Sequence, residues 1–125
     1  MSSVPKNLQY TKDHEWALIE KDIATVGVTD HAQKELGDIV FVELPKVGAK
    51  VKAGETFGTI EAVKTVAELY APVAGTVTEV NTALSVDAAV VNQDPYGKGW
   101  IIKVKVDGSD EGGELMSAAE YEKLI

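Results

Sequence analysis

Among the side chains that could do chemistry, Lys64 stands out by its setting. It lies in the run Gly58-Thr59-Ile60-Glu61-Ala62-Val63-Lys64-Thr65-Val66-Ala67-Glu68-Leu69-Tyr70-Ala71-Pro72. Two alternating, β-prone stretches flank it, and neither Gly nor Pro breaks the join. That pattern predicts a tight hairpin with the lysine at its tip. An amine held there stands clear of the body, on a rigid turn, where a second enzyme can reach it.

The other reactive groups form no comparable constellation. His14 and His31 are the only histidines and are far apart in sequence. With no third ligand in a recognisable spacing, no metal site is expected. Ser85 has no evident base partner, so a hydrolase triad is unsupported. Glu15, Glu43, Glu61 and Glu68 could pair for acid–base work, but a solvated acidic face is the plainer reading for most of them. Trp16 and Trp100 are expected in the core or in a groove wall. The chain has no cysteine. That excludes disulfides, a thiol nucleophile and a zinc–thiolate site, and leaves no thiol of its own to attack a disulfide cofactor.

Composition narrows the function classes. At 125 residues with 45% hydrophobic content, the chain is expected to form a single domain with one modest core. Net charge is −8, and all twelve basic residues are lysines. Lacking arginine's planar fork, an acidic chain is a poor reader of nucleic acid. The charge suits solubility and steering toward basic protein surfaces. No apolar run is long enough to span a membrane. The first residues show neither a signal core nor an Arg-rich transit pattern. A cytoplasmic, prokaryotic protein is the expectation, with a processed organelle form as the alternative.

The elements that must carry the lysine are short. Leu8-Gln9-Tyr10 and Trp16 to Glu20 read as strands, and Lys21-Asp22 turns the second into Ile23 to Val28. Thr29 or Asp30 can cap a helix through Ala32 to Leu36 that Gly37 stops. Ile39 to Leu44 is a strand ended by Pro45. Gly48, Gly54 and Gly58 punctuate short strands before the lysine hairpin, whose arms are Thr56 to Glu61 and Val66 to Ala71. Pro72 and Gly75 frame a turn into Thr76 to Val80. Asn81 to Lys98 reads mostly as loop, Trp100 to Val106 as a strand with one wet face, closed by Asp107-Gly108. Ser117-Ala118-Ala119-Glu120 is a capping-box pattern with Tyr121, Leu124 and Ile125 on one helical face. Pro45-Lys46-Val47-Gly48 and Ala71 to Gly75 echo each other weakly, as a pseudo-twofold sandwich would. The fold expected is mainly β, a flattened barrel-sandwich hybrid with a short internal helix and a C-terminal helical tail. The β core is expected over about 8–107 and the tail over about 111–125.

Gly48-x-x-Val51-x-x-Gly54, Glu61-Ala62-Val63-Lys64 and Gly75 together resemble the lipoyl/biotinyl carrier pattern. Biotin carriers usually place Met on both sides of the lysine, whereas Val63 and Thr65 flank it here. Acyltransferase lipoyl domains usually have Asp before the lysine and Ala after it. Glycine cleavage system H proteins usually read Glu-Ser-Val-Lys-Ala, which Glu61 to Thr65 matches with two small changes. His14-Glu15-Trp16, Gly27 to Gln33, Gly37 to Pro45, and Asn92 through Pro95-Tyr96 to Gly99-Trp100 also resemble that family. The resemblance runs from about Leu8 to the C-terminus. It departs at Gly112-Gly113, where the family tends to be helical. Two glycines cost a helix roughly 2 kcal/mol relative to alanine, so a short or frayed first tail helix is expected.

The resemblance implies a carrier and not an enzyme. It implies one lipoate per chain, joined by an amide to Lys64, with Glu61 and Gly75 serving ligase recognition and the turn. The implied partners are a pyridoxal-phosphate glycine decarboxylase, a folate-dependent aminomethyltransferase and a dihydrolipoamide dehydrogenase. A lipoate ligase or octanoyltransferase would attach the group. It further implies a cleft beside the hairpin that holds the loaded arm's amine, the matching positions being Asp13, Glu15 and Glu68. The family often has Ser at the first of these. A monomer is expected. There are two rival readings: a lipoyl or octanoyl donor in relay to other complexes, which uses the same Lys64, and an unmodified binding module that kept the fold.

Overall fold

The computed structural model describes residues 3–106 and 115–125. Among the described residues nine strands form two sheets. β1 (Gln9–Tyr10), β2 (Glu15–Glu20), β3 (Ile23–Val28), β9 (Ile102–Val106), β8 (Gly75–Val80) and β5 (Lys50–Val51) pair in that order, all antiparallel. β4 (Ile39–Glu43), β6 (Thr56–Ala62) and β7 (Val66–Tyr70) form the second sheet. Neither sheet closes on itself. Alternation sets Ala24 and Val26 of β3, Val104 of β9 and Val77 of β8 against Val42, Ile60 and Leu69 of the second sheet. These residues are all buried in one apolar cluster, the sandwich end of the expected fold.

Turn chemistry fixes the middle of the chain. Ala49 N–H donates to Lys46 O at 3.0 Å and Glu55 N–H to Lys52 O at 3.0 Å. Gly48 and Gly54 hold φ of 93° and 86° at the third position of these two turns. Type II turns need glycine there, because a side chain is strained at positive φ. The turns dock alike. Gly48 N–H donates to Val77 O and Val77 N–H returns to Ala49 O, while Gly54 N–H donates to Ala71 O and Ala71 N–H returns to Glu55 O. The repeat is therefore turn 46–49 against turn 52–55, and not the pair of segments the sequence suggested.

Helix α1 (Asp30–Leu36) starts at Thr29, whose hydroxyl accepts from Ala32 N–H, and stops at Gly37. α3 (Ala118–Leu124) has the full capping box between Ser117 and Glu120. Of the three residues expected on its apolar face, only Tyr121 is buried; Leu124 and Ile125 are 52% and 40% exposed. Tyr121 joins Leu8, Tyr10, Trp16 and Ala118 in a second, smaller core, with its ring stacked on Tyr10 at 4.7 Å. The segment read as loop holds a 3-10 turn (Thr82–Ser85) and α2 (Val90–Gln93). Leu84 and Val91 are buried there, and each anchors one of these helical turns to the core. The expected strand close at Asp107-Gly108 and the weakening pair Gly112-Gly113 lie outside the described residues.

Candidate functional site

The lysine hairpin is a compact device. β6 and β7 pair from Thr56↔Tyr70 to Glu61↔Val66. Ala62 N–H then closes on Thr65 O at 2.7 Å, and Val63 N–H donates to Asp38 O at 3.0 Å. The turn is thus tied both to itself and to the segment that leads into β4. Lys64 is exposed at its apex. Its stem does not stand straight out, however. A Cβ on Gly37 would lie 3.4 Å from Lys64 Cε and 3.9 Å from Nζ, so the side chain lies along the C-terminal end of α1. A cation is favoured at the C-terminal end of a helix. Asn92 holds that junction. Its amide donates to Gln33 Oε1 and Gly37 O, and its carbonyl oxygen accepts from Ile39 N–H.

Glu61 is half-buried and stands between Phe41 and Val66 as cross-strand partners on the outer face of the second sheet. Val40, Phe41, Val63 and Val66 are all exposed around this end. Gly75 is placed differently. It is buried as the first residue of β8, between Val51 of β5 and Val106 of β9. A Cβ on it would meet Lys105 O at 2.0 Å. Close strand approach demands this glycine, and the turn expected of it falls before it, at 72–74.

The three acids named from the sequence line one cavity of about 310 Å³. Asp13, His14 and Glu15 come from the approach to β2 and its first residue, Glu35 and Leu36 from α1, and Ile60, Ala67, Glu68 and Leu69 from the hairpin arms. Glu68 is exposed at the rim, and its carboxylate accepts from Thr56 Oγ1 at 3.0 Å. Asp13 is exposed as well. Glu15 is not part of a solvated acidic face. It is 2% exposed. One carboxylate oxygen accepts from Tyr70 N–H at 2.7 Å and the other from Thr11 Oγ1 at 3.4 Å. Burial pushes its pKa up to about 8, against the pull of the Tyr70 hydrogen bond and with help from the nearby Asp13 charge. An isolated buried carboxylate is costly, so the neutral acid is favoured until a cation arrives.

The structure also brings together residues that sequence spacing kept apart. The His14 and His31 rings lie 4.8 Å apart, and His31 Nε2 is 3.5 Å from Glu35 Oε2. No group of three or more metal-ligating side chains occurs among the described residues. Tyr121 reaches His14 from the far end of the chain, a contact for which only its helical phase gave any hint. Trp16 is core, and its indole donates to Pro95 O at 3.0 Å. No helix among the described residues is long and apolar enough to cross a membrane.

Residues 8–125 match the family described as Glycine cleavage H-protein. The glycine cleavage system H protein of Rubrobacter xylanophilus is 58% identical over 125 residues, covering 100% of this chain and 97% of that protein. That of Chlorobaculum parvum is 59% identical, covering 98% of each. The crystal structure of a glycine cleavage system H protein from Mycobacterium marinum superposes with a TM-score of 0.90 at 44% identity, over 96% of this chain and 97% of that one. With the family matched over nearly the whole chain, and the fold and relatives in agreement, this chain belongs to the glycine cleavage H-protein family.

Proposed function

We propose that Lys64 carries a single lipoyl group through an amide on Nζ, and that the cavity lined by Glu15 receives the group's cargo. Membership of the family makes the chain the lipoyl carrier of the glycine cleavage system and not a catalyst. One observation carries the residue assignment. Lys64 sits at the apex of a turn whose descending strand, β7, runs to the cavity rim at Glu68. Four residues of extended chain span at most about 14 Å, within reach of a lysine lengthened by an acyl group.

The exposed amine and its open turn fit a ligase that must bring an activated acyl group to Nζ. When bound, lipoate supplies a disulfide that accepts an aminomethyl group and is left as a dithiol for reoxidation. In this reading the decarboxylase delivers the group, the folate-dependent aminomethyltransferase removes it, and the dihydrolipoamide dehydrogenase restores the disulfide, all in the bacterial cytoplasm. A lipoate ligase or octanoyltransferase makes the attachment. The rigid hairpin base fixes the arm's origin and so raises its effective concentration at a docked partner.

The chain's own residues handle the cargo. An aminomethyl group on sulfur is lost to water, and its amine is cationic at neutral pH. Glu15 is buried and holds its proton near neutrality while the pocket is empty. An entering ammonium reverses that preference, and the proton leaves to solvent as the charge-assisted contact forms. Asp13 and Glu68 add negative charge at the mouth, and Leu36, Ile60 and Leu69 exclude water. The test is intact mass after co-expression with a lipoate ligase. One lipoyl group on the wild type and none on Lys64→Arg supports the assignment. Lipoylation that persists in the variant, or spreads to other lysines, sinks it.

A further inference from the structure

Three side chains outside the acidic trio, His14, Tyr121 and Thr29, form a hydrogen-bonded chain that reaches the cavity wall at His14. His14 adopts a left-handed backbone with φ 66°, a conformation uncommon for a residue with a side chain. It is tied at three points. His14 N–H donates to Thr11 O at 3.1 Å, and its carbonyl accepts from Thr29 N–H at 3.0 Å. Its ring Nδ1 lies 2.8 Å from the Tyr121 hydroxyl, which lies 2.8 Å from Thr29 Oγ1. Thr29 Oγ1 also accepts from Ala32 N–H at the start of α1.

Counting hydrogens fixes the direction of this chain. Thr29 and Tyr121 each have one hydroxyl proton, and Thr29 is fully buried. If Nδ1 carried a proton, it would donate to Tyr121, Tyr121 would donate to Thr29, and the Thr29 proton would have no acceptor among the described residues. If Nδ1 is bare, Thr29 donates to Tyr121 and Tyr121 donates to His14, and both hydroxyl protons are used. Idle buried donors are disfavoured. The second arrangement places the imidazole proton on Nε2 and keeps the ring neutral.

We propose that Tyr121 is a positioning residue for the cavity: from α3 it locks His14 as a neutral, Nε2-protonated imidazole beside Glu15. This rests on the reading that the cavity takes a cationic amine. A protonated His14 would repel that amine and compete for Glu15. The charged and titratable groups facing His14 are Asp13 and Glu15 on its own segment, His31 and Glu35 on α1, Tyr121 on α3 and, across the cavity, Glu68. Burial and the neighbouring His31 ring also lower the His14 pKa. The C-terminal helix thereby takes part in retaining the cargo without touching it.

Two measurements test this. The first is a nitrogen–proton correlation spectrum of the histidine rings in the full, lipoylated chain. The wild type is expected to show His14 neutral at pH 7 as the single Nε2–H tautomer. An Nδ1–H form or free averaging overturns the proposal without any variant. The second is Tyr121→Phe, which keeps the ring stacked on Tyr10 and removes one hydroxyl. His14 should then titrate at higher pH. Release of ammonia from the isolated, aminomethyl-loaded carrier should rise about threefold at pH 6, the order expected for one net hydrogen bond, and change little at pH 8. Release unchanged at both pH values, or raised equally at both, overturns the positioning role; equal rises mean only a looser helix. If Glu15→Gln leaves release unchanged while the wild-type spectrum is as expected, the cavity reading has failed and the His14 lock stands.

Discussion

The lysine turn and the acidic cavity share the β6–β7 hairpin, yet their surroundings are opposite. Lys64 is exposed, tied by backbone bonds within two residues and by one bond to Asp38. Glu15 is buried, held by Tyr70 and Thr11, and walled by residues from three parts of the chain. In the proposed reading the anchor of the arm is therefore exposed to solvent, where enzymes can reach it. Its proposed destination is lined by the buried Glu15, and buried charge is costly unless paired. On that reading the difference teaches why one chain needs both: attachment would require access, and storage of a labile amine would require its exclusion from solvent.

The largest effect should come from breaking the anchor. Lys64→Arg keeps the charge but cannot take the amide, so glycine–bicarbonate exchange should fall to background with the melting curve unchanged. Exchange retained above background would show that the anchor lies elsewhere.

Glu15 supplies the next effect, and its sign is set by linkage. Its folded pKa of about 8 lies above the unfolded value of 4.5. The neutral acid therefore contributes fully below about pH 4.5, and that contribution is lost as pH rises through about 8. Glu15→Gln keeps acceptors and donors for Tyr70 and Thr11 but cannot ionise. Denaturant melts of the unloaded chain should show the wild type losing stability from pH 5 to 9 relative to the variant. The gap should open by up to about 5 kcal/mol, the full value of the shift. Parallel curves would mean that Glu15 ionises as freely as a surface acid.

The contrast between the two regions also explains what could be read from the sequence. The hairpin, the Thr29 cap, the Gly37 stop and the Ser117–Glu120 box are local. Each is written in residues a few positions apart, and each is where the pattern put it. The turns at Gly48 and Gly54 were legible for the same reason. Asp13, Glu15 and Glu68 could be named only by resemblance, because no spacing rule links positions 13–15 to 68. Glu15 reads like any acid beside a tryptophan; its burial follows from the start of β2 lying beside Tyr70 of β7. Gly75 was read as a turn residue because turn and close-contact glycines look alike in sequence. Tyr121 gave only its helical phase as a hint of its reach to His14 across 107 positions.

Steering should be the smallest effect. A net charge of −8 favours encounter with basic partner surfaces, and salt screens it over a Debye length of about 10 Å at 0.1 M. Exchange with subsaturating carrier should slow severalfold from low to physiological ionic strength. A flat response would leave the charge to solubility alone.

The claim that a wet anchor serves a dry shelter is tested most directly by the loaded carrier without its enzymes. Release of formaldehyde and ammonia should be followed at pH 7 for wild type, Glu15→Gln and Glu68→Gln, each lipoylated at Lys64. The account predicts release about tenfold faster for Glu15→Gln, the order of one charge-assisted contact, and a smaller rise for the exposed Glu68→Gln. Equal release from all three proteins would contradict it.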